Sequence, residues 1–479
     1  MVAKIKKEKK KNEEKNEKSK IEKELFLEKK NAWELLENEK KEAFALAKEY
    51  KKFIDENKTE REIVRTVESM AKKNGYVNLK DATPTTKKIY ATNHEKNILL
   101  VDLSGGNLKQ GARIIGSHID ILRLDFKLNP IYESESFALI NTHYYGGIKK
   151  YHWLNTPLSI HGVVFDKNGK KIEIVYGEEE EEAVFVISDL LPHLEGREGY
   201  DKPARNIIQG EEMDALAGSI PINDKKVKEK IKATFLKIMN EKYGITERDF
   251  VSAELALYPS MKARDVGIDG GLMGAPGHDD RVCSYLAVKT ILESSNKKTK
   301  PAIVLLVDKE EIGSVGNTSM DSLFFENTLE KIIKLRKENT TAREVLENSK
   351  AISADVTSGS DPKYMDKMDP MNANKLGYGV AMEKYTGSGG KYHGSDANAE
   401  YVSWIRTMLE ENNIPWQYGE LGKVDQGGGG TIAYILAKYN MNIVDMGTPV
   451  LAMHSPFEII SKIDLLCTKK AYAAFFEKK

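Results

Sequence analysis

The segment PAIVLLVDKEEIG, residues 301–313, joins a nearly continuous apolar run to a cluster of charged residues. An uninterrupted apolar run of this length is typical of a strand that is buried on both faces of a parallel sheet. Shorter runs that also indicate strands lie at 97–101, 112–116, 351–355 and 442–446. Segments with helical spacing lie between or after them, at 280–294, at 398–412 and from about 457. This alternation predicts an α/β fold in which helices cover both faces of a mixed sheet.

The segment between these two sets of elements has a different character. Short β-rich runs occur at 158–165, 171–176 and 183–188, and Asn168-Gly169 is a strong hairpin-turn signal between the first two. Residues 223–257 have helical spacing that Pro259 would end. We therefore predict that residues 124–261 form an inserted β-rich domain.

The flanking segments, 25–123 and 262–479, would then form the two parts of one main domain. Helical spacing covers 31–54 and 61–73 in the first part, and Gly75 is placed to end the second of these helices. Residues 1–24 are rich in lysine and glutamate, so we predict a solvated, disordered tail rather than a secretory signal.

The overall composition excludes several classes of protein. The 479 residues include 73 lysines and arginines against 73 acidic residues, and this balance gives no indication of nucleic-acid binding. We find no apolar stretch of about 20 residues, the length that a membrane span needs. Two cysteines, Cys283 and Cys467, are too few for a disulfide framework. These features predict a cytoplasmic protein.

Residues that can bind metal ions follow several of the predicted strands. In open α/β sheets, ligands collect at the carboxyl ends of the strands, so we expect these residues to converge. They are His118 and Asp120 after the strand at 112–116, Glu310 and Glu311 after 301–308, Asp355 at the end of 351–355, and His454 in a loop beyond 442–446. A further cluster, His278-Asp279-Asp280, lies at a predicted helix start.

This set of residues is chemically specific when it is taken together. Imidazole and carboxylate ligands without thiolate suit Zn²⁺, Mn²⁺ or Co²⁺. A pair of such ions needs one shared carboxylate and about two further ligands for each ion, so five side chains suffice. Asp279 fits the shared position because a helix N-terminus favours a carboxylate. Taken singly, each of these residues is as well explained by helix capping or packing.

Other known motifs are missing. We find no GxxxxGK[ST] or GxGxxG, which would indicate a nucleotide site, and no HExxH or GxSxG. The glycines at 427–430 allow close approach of a substrate to the backbone, or form a flexible turn. The loop at 387–391 is expected near the site, where Lys391 and His393 could contact a substrate.

The order of these motifs resembles that of a known family. The chain is similar, from about residue 90 onward, to the aspartyl aminopeptidases, dinuclear zinc exopeptidases that include the yeast vacuolar aminopeptidase. The segments that carry the resemblance are GSHID (116–120), YGGI (145–148), KKYHW (149–153), GHDDRVCSYLA (277–287), VDKEEIGSVG (307–316), ISADVT (352–357), DQGGGGT (425–431) and MHSPFE (453–458).

The resemblance implies a role for each matching residue. The implied ligands are His118 and Asp355 for one metal ion, Glu311 and His454 for the other, and Asp279 as the bridge between them. Asp280 remains an alternative bridge, because eukaryotic relatives have Leu-Asp-Asn where this chain has His278-Asp279-Asp280.

Three further residues match family positions outside the ligand set. The resemblance implies that Glu310 is the general base and that Asp120 forms a hydrogen bond with the His118 ring and fixes its tautomer. It also implies that His152 enters the active site of a partner subunit, although packing beside Trp153 explains this residue equally well. The acidic-substrate pocket of the family cannot be mapped onto this chain.

The sequence thus predicts a cytoplasmic metal-dependent aminopeptidase that removes the N-terminal residue from short peptides. By resemblance it is a homo-oligomer, in which the inserted domain forms dimers and the dimers form a dodecamer. Two alternatives remain: a dinuclear carboxypeptidase or deacylase with the same fold, and a catalytically inactive relative that serves as a scaffold. The presence of all five ligands and the base argues against the second alternative.

Overall fold

The computed structural model describes residues 20–27, 29–194, 196, 201–294 and 298–478. The predicted charged tail lies outside the described residues up to residue 19, and its end forms the first helix. The described α-helices are α1 Lys20–Leu25, α2 Ala32–Leu35, α3 Lys40–Glu56, α4 Glu60–Lys73, α5 Lys230–Tyr243, α6 His278–Glu293, α7 Phe324–Arg336, α8 Ala342–Glu347, α9 Ala399–Glu411, α10 Ala433–Leu436 and α11 Lys462–Glu477.

The strands form four sheets. In chain order they are β1 Val77–Asn78, β2 Lys88–Asn93, β3 Asn97–Asp102, β4 Arg113–His118, β5 Arg123–Ser134, β6 Phe137–Tyr145, β7 Leu158–Phe165, β8 Lys171–Tyr176, β9 Ala215–Gly218, β10 Ala253–Pro259, β11 Arg264–Val266, β12 Leu272–Ala275, β13 Ala302–Val307, β14 Lys350–Ser353, β15 Thr357–Ser358, β16 Val380–Glu383, β17 Gly387–Ser388, β18 Trp416–Tyr418, β19 Gly428–Gly429, β20 Asn442–Gly447, β21 Pro449–Leu451 and β22 Glu458–Ser461.

The largest sheet has nine strands in the order β1-β2-β3-β13-β4-β14-β20-β16-β18. Its centre is parallel, since β4 pairs in parallel with both β13 and β14, and β14 with β20. Alternate residues of β13 point to opposite faces of the sheet and belong to two different hydrophobic cores. Val304 and Leu306 pack with residues of α3, α6 and α11, whereas Ile303 and Leu305 pack with residues of α7 and α8. The predicted mixed sheet with helices on both faces is confirmed.

A second sheet is built from residues 123–259 and is antiparallel throughout. Its strand order is β8-β7-β10-β5-β6-β9, and α5 packs against it in a separate hydrophobic core. The predicted strands at 158–165 and 171–176 are confirmed with their turn, where Gly169 has a φ of +77°. The predicted strand at 183–188 is wrong, because this segment forms only isolated bridges.

Several predicted helices begin or end elsewhere. The prediction of helix up to residue 257 is wrong, because 253–259 form β10, which pairs with β7 on one side and β5 on the other. The helix predicted at 31–54 is interrupted by a 3-10 turn at Glu37–Glu39. The C-terminal helix begins at Lys462, because the four residues of β22 pair with β12 and β21. No helix in the described part of the chain is both long enough and apolar enough to span a bilayer.

The start of α6 is held in place by Arg281, a fully buried side chain. Its guanidinium donates hydrogen bonds to the carbonyls of Gly277 (2.8 Å) and Ile54 (3.1 Å), and also to those of Asn57 and Pro276. Carbonyls at a helix C-terminus lack partners within the helix and carry partial negative charge, so the end of α3 is a suitable acceptor for this cation. Arg281 therefore connects α3 to the loop that precedes Asp279.

A buried cluster of charged groups joins α4 to the second sheet. His161 on β7 lies between two carboxylates, with Nδ1 2.9 Å from Glu62 and Nε2 3.0 Å from Glu178. Lys58 Nζ lies 3.2 Å from the same oxygen of Glu178. Burial alone would lower the pKa of His161, but the two carboxylates outweigh this effect and raise the pKa above 6.5. The cluster thus favours a protonated imidazole between α4 and the second sheet.

This cluster makes stability depend on pH in a defined direction. Because folding raises the pKa of His161, its stabilising contribution is complete below pH 6.5 and is lost as the pH rises through the folded value. We expect the difference in melting temperature between the wild type and His161→Gln to be largest near pH 6 and to shrink toward pH 9. Thermal unfolding scans across this range measure the difference.

His143→Gln is the matched control, since His143 is an exposed histidine on β6 of the same sheet. Its difference from the wild type should be small at every pH. A difference for His161→Gln that stays constant or grows toward alkaline pH would contradict the charged role of this imidazole.

Candidate metal centre

Three of the five predicted ligands, His118, Glu311 and Asp355, lie at the carboxyl ends of three neighbouring strands. His118 is the last residue of β4, and Asp355 follows β14 by two residues. Glu310 and Glu311 lie in a 3-10 turn that follows β13. Since β13 and β14 flank β4 in parallel, their ends lie at the same edge of the sheet. The structure therefore brings together residues that are far apart in the sequence.

Asp279 lies between the two histidines. Its Oδ1 is 3.1 Å from His118 Nε2, and its Oδ2 is 3.2 Å from His454 Nε2. Glu311 Oε2 lies 3.5 Å from the same nitrogen of His454, and Asp355 Oδ1 lies 3.7 Å from His118 Nε2. Each oxygen of Asp279 thus faces a different imidazole, and each imidazole has a second carboxylate beside it.

The two residues beside Asp279, His278 and Asp280, contact groups outside this arrangement of imidazoles and carboxylates. Asp280 is fully buried, and its Oδ2 accepts a hydrogen bond from the Ser117 hydroxyl. His278 is also fully buried, and its Nδ1 lies 3.0 Å from the Tyr50 hydroxyl. Burial lowers the pKa of His278 to about 3, so this imidazole is neutral. Of the three residues in this motif, Asp279 is the one that the geometry favours as a bridge.

Asp120 connects the ends of β4 and β13. His118 Nδ1 lies 3.1 Å from the Asp120 carbonyl oxygen and 3.3 Å from its Oδ1. The Asp120 carboxylate also accepts hydrogen bonds from the backbone N–H groups of Glu310 (3.1 Å) and Glu311 (3.2 Å) and from the Tyr145 hydroxyl (2.8 Å). A His118 ring that donates from Nδ1 leaves its Nε2 lone pair free for a metal ion.

Two supporting residues were not predicted from the sequence. The Glu458 carboxylate accepts hydrogen bonds from the backbone N–H groups of Asp279 (2.9 Å) and His454 (2.8 Å). His454 Nδ1 lies 2.9 Å from the carbonyl oxygen of Gly147, which comes from the loop after β6. His454 has a φ of +65°, an unfavourable conformation for a non-glycine residue, which these contacts hold in place. Both residues belong to motifs of the resemblance, but no pattern indicated their partners.

The site concentrates negative charge in a buried position. Burial, together with the neighbouring carboxylates, raises the pKa of Glu310 to about 8 and that of Glu311 well above its usual range. Burial alone would lower the pKa of His454, but Asp279 and Glu311 outweigh it and raise the pKa to about 11. Glu311 Oε1 is buried and has no hydrogen-bond partner among the described residues. A cation would satisfy these acceptors.

The donor atoms are close enough to hold metal ions. Two groups have ligand atoms within 4.8 Å of one another: His118, Glu310 and Asp355 form one, and His118, Asp279 and Glu311 form the other. Imidazole nitrogen and carboxylate oxygen are suitable donors for zinc. The residues that are present thus fit a divalent metal ion.

A cavity of about 590 Å³ opens at these residues. It is also lined by three glycines of the predicted glycine run, 428–430, and by His393. Lys391, the other residue predicted to contact substrate, is not among the described residues that line it, and its Nζ lies 2.9 Å from Asp396. His152 is also absent from the lining, and its Nδ1 is buried without a hydrogen-bond partner in the described structure.

Comparison with known proteins agrees with this chemistry. The family described as "Aminopeptidase I zinc metalloprotease (M18)" matches residues 53–476. The chain belongs to the M18 family. It is 46% identical over 460 residues to a probable M18 family aminopeptidase 1 of Clostridium acetobutylicum, a match that covers 94% of this chain and 98% of that protein. This M18 protein is therefore an aminopeptidase of the metallopeptidase class, as the sequence predicted.

Solved structures of M18 proteins share the fold. The crystal structure of an M18 aminopeptidase from Thermotoga maritima has a TM-score of 0.91 at 45% identity, covering 95% of this chain and 100% of the other. The structure of an S. cerevisiae mApe1 dodecamer has a TM-score of 0.73 at 21% identity, covering 90% and 96%. The second likeness shows the fold alone.

The position of Asp120 in the M18 protein predicts the effect of a small substitution. Asp120→Asn places an amide N–H₂ where an oxygen accepts hydrogen bonds, so either His118 or the turn at Glu310 loses its partner. We expect metal affinity to fall by about 10-fold to 100-fold, the range typical for a residue that orients a metal ligand. Titration of the metal-free protein with zinc measures this change.

Asp125→Asn is the control, since Asp125 lies on β5 and forms an ion pair with Arg123 at 2.7 Å. That variant should bind zinc as the wild type does. Equal zinc affinity in Asp120→Asn and the wild type would show that Asp120 does not position the ligands.

Proposed function

We propose that this M18 aminopeptidase removes the N-terminal residue from short peptides at a centre of two divalent metal ions. The placement of Asp279 is the observation that carries the proposal, because its two carboxylate oxygens face two separate imidazoles. In this centre His118 and Asp355 would hold one ion, Glu311 and His454 would hold the other, and Asp279 would be the shared ligand. Asp280 has no part in it, because its carboxylate is turned toward Ser117.

The donor set is compatible with several metals. Zn²⁺ is the ion that we propose, since the family is described as a zinc metalloprotease, and Mn²⁺ and Co²⁺ accept the same ligands. When bound, two such ions lower the pKa of a water molecule toward neutrality and polarise the scissile carbonyl group. Family membership argues against the two predicted alternatives, a carboxypeptidase or deacylase and an inactive scaffold.

Glu310 is the general base in this proposal. Its carboxylate lines the cavity, and its Oε2 lies 4.0 Å from His118 Nε2. The adjacent Glu311 faces His454 instead, so the two side chains of one turn can perform different tasks. Glu310 is also close enough to His118 and Asp355 to share an ion with them. In this proposal Asp279 is the third ligand of that ion, so Glu310 is left free to act as the base. As the base, Glu310 accepts a proton from the attacking water and delivers it to the leaving amine.

Glu310→Gln tests this role. We expect kcat for an aminoacyl anilide to fall by about 100-fold to 10,000-fold, the usual contribution of general acid–base catalysis. The content of bound zinc should not change, because glutamine has nearly the same size and the ligand set is intact. Zinc analysis and anilide hydrolysis on the same sample measure the two effects.

Two controls show whether anilide hydrolysis depends on bound metal and on the free amino group of the substrate. Removal of metal by a chelator should abolish turnover in the wild type, and added zinc should restore it. Acetylation of the substrate's amino group should also abolish turnover if the free amine is required. Turnover of Glu310→Gln at the wild-type rate would reject Glu310 as the base.

We infer that the protein is a cytoplasmic homo-oligomer, built as a dodecamer from dimers. The yeast relative that forms a dodecamer shares its fold, and the segment at 124–261 exposes large apolar side chains. These include Leu190, Leu191, Leu194 and Ile220. In this proposal residues 124–261 are the dimerisation domain, and 25–123 with 262–479 are the catalytic domain. The two cysteines are free and buried, as in proteins of a reducing compartment.

His152 completes the active site of a partner subunit in this assembly. It lies in a short 3-10 turn at Lys150–Trp153, half-exposed, with Nδ1 lacking a hydrogen-bond partner among the described residues. His152 does not line the cavity of its own subunit, so a role in catalysis requires a second copy of the chain. There it would donate a hydrogen bond to the tetrahedral intermediate.

Light scattering combined with kinetics tests this arrangement. We expect the wild type to have a mass many times that of the monomer. His152→Ala should keep that mass and lose about 100-fold to 1,000-fold in kcat, the usual cost of removing a donor to an oxyanion. His94→Gln, a histidine outside the segment at 124–261, should change neither quantity. A wild-type mass near that of the monomer would overturn the assembly, and full activity of His152→Ala would overturn the role of this residue.

A further inference from the structure

The cavity contains two carboxylates that the proposed mechanism does not use. Glu383 is the last residue of β16, and Asp445 lies in β20. The two residues are direct partners in the antiparallel pairing of these strands, so their side chains lie opposite each other on the same face of the sheet. Both line the cavity, although only 8% of Glu383 and 5% of Asp445 is exposed.

These carboxylates have fewer hydrogen bonds than they can accept. The Thr357 hydroxyl donates to Glu383 Oε1, and the Ser395 hydroxyl donates to Asp445 Oδ2 at 2.6 Å. Asp445 Oδ1 is buried and has no hydrogen-bond partner among the described residues. Like charges directly opposite in a sheet are destabilising, and a buried acceptor without a partner adds to that cost. A cation that binds between them would offset both.

No lysine or arginine of the described residues supplies that cation. Six carboxylates line the cavity, and no lysine or arginine does so among the described residues. Two lysines in the segment after β16, Lys384 and Lys391, form ion pairs with Asp396 at 3.2 and 2.9 Å. Two histidines line the cavity: His454 already faces Asp279 and Glu311, and His393 forms no ion pair with Glu383 or Asp445 in the described structure.

A bare metal ion fits this position less well than an organic cation. The groups in the described structure whose donor atoms are close enough to share an ion include neither Glu383 nor Asp445. An ammonium or guanidinium group carries several N–H donors and can contact two separated carboxylates at once. Asp445 also lies beside Ser353 in the parallel pairing of β20 with β14. Ser353 precedes the candidate ligand Asp355 by two residues. The carboxylate pair thus adjoins the metal centre.

We propose that Glu383 and Asp445 bind the side chain of the substrate's N-terminal residue and select lysine or arginine there. This specificity rests on the proposed function, because it places the residue to be released beside Asp355. A cavity of about 590 Å³ is within the size range of small-molecule sites and has room for a long side chain. An acidic side chain would meet two carboxylates and no lysine or arginine, so aspartyl and glutamyl substrates are disfavoured.

The test compares aminoacyl p-nitroanilides on the zinc-loaded wild type and on two variants. We expect kcat/KM for lysyl and arginyl substrates to exceed that for leucyl by at least about 10-fold and that for aspartyl by about 100-fold, as for a charge-assisted contact. Glu383→Gln and Asp445→Asn should each lower the ratio of kcat/KM for lysyl substrate to that for leucyl substrate by about 10-fold or more. A melting temperature close to that of the wild type shows that the variants fold.

Asp396→Asn is the matched control, because it removes one negative charge in the same segment without lining the cavity. It should not change the ratio of lysyl to leucyl activity. A second measurement needs no variant. Lysine should inhibit leucyl-anilide hydrolysis by the wild type more strongly than norleucine, which has a similar aliphatic side chain without the ammonium group.

The possible outcomes distinguish a failure of the lysine and arginine specificity from a failure of the proposed aminopeptidase function. Hydrolysis of leucyl or aspartyl substrates as fast as lysyl, together with equal inhibition by lysine and norleucine, would overturn the specificity and leave the aminopeptidase function standing. Equal loss of lysyl and leucyl activity in Glu383→Gln and Asp445→Asn would show a structural role for the pair. If the zinc-loaded wild type released no N-terminal residue from any substrate, the proposed function would fail, and the specificity with it.

Discussion

The parallel pairing of β4 with β13 is the constraint on which the metal centre depends. In this register Val307, the last residue of β13, lies beside His118, the last residue of β4. The chain therefore leaves β13 at the level of the imidazole, and the turn with Glu310 and Glu311 is placed next to it. A shift of one residue would exchange the two faces of β13, and both faces are packed with helices. The hydrophobic cores thus set the position of the polar residues.

The stability of the site comes from contacts outside the ligand set. The ligands are mostly acidic and buried, an arrangement that costs free energy until a cation is bound. Asp120 and Glu458 each accept two backbone N–H groups, and these bonds hold the loops in place. Arg281 joins the loop before Asp279 to the end of α3 through backbone carbonyls alone. The charged ligands are therefore held in position by groups that take no part in binding.

Local sequence signals predicted the strands at 158–165 and 171–176 because alternation and the Asn168-Gly169 turn act over short distances. They failed at 253–257, because Ala-Glu-Leu-Ala-Leu consists of good helix formers and pairing with β7 and β5 overrides that preference. The candidate ligands could be selected from motifs that end or follow predicted elements, and the structure brings them close together. The partners Glu458 and Gly147 could not, since their contacts span 179 and 307 residues. The pairing of Glu383 with Asp445 likewise depends on strand register, which no motif encodes.

The hydrogen bond between Gly147 and His454 has a consequence for the evolution and engineering of this architecture. The two large sheets have separate hydrophobic cores, so each could in principle be exchanged or trimmed without emptying the core of the other. Yet the ring of His454, a candidate ligand in the larger body, is oriented by a backbone carbonyl of the smaller one. Excision of residues 124–261 would leave that imidazole free to rotate. Residues 124–261 thus supply part of the candidate site, so neither evolution nor design can replace them without regard to the larger body.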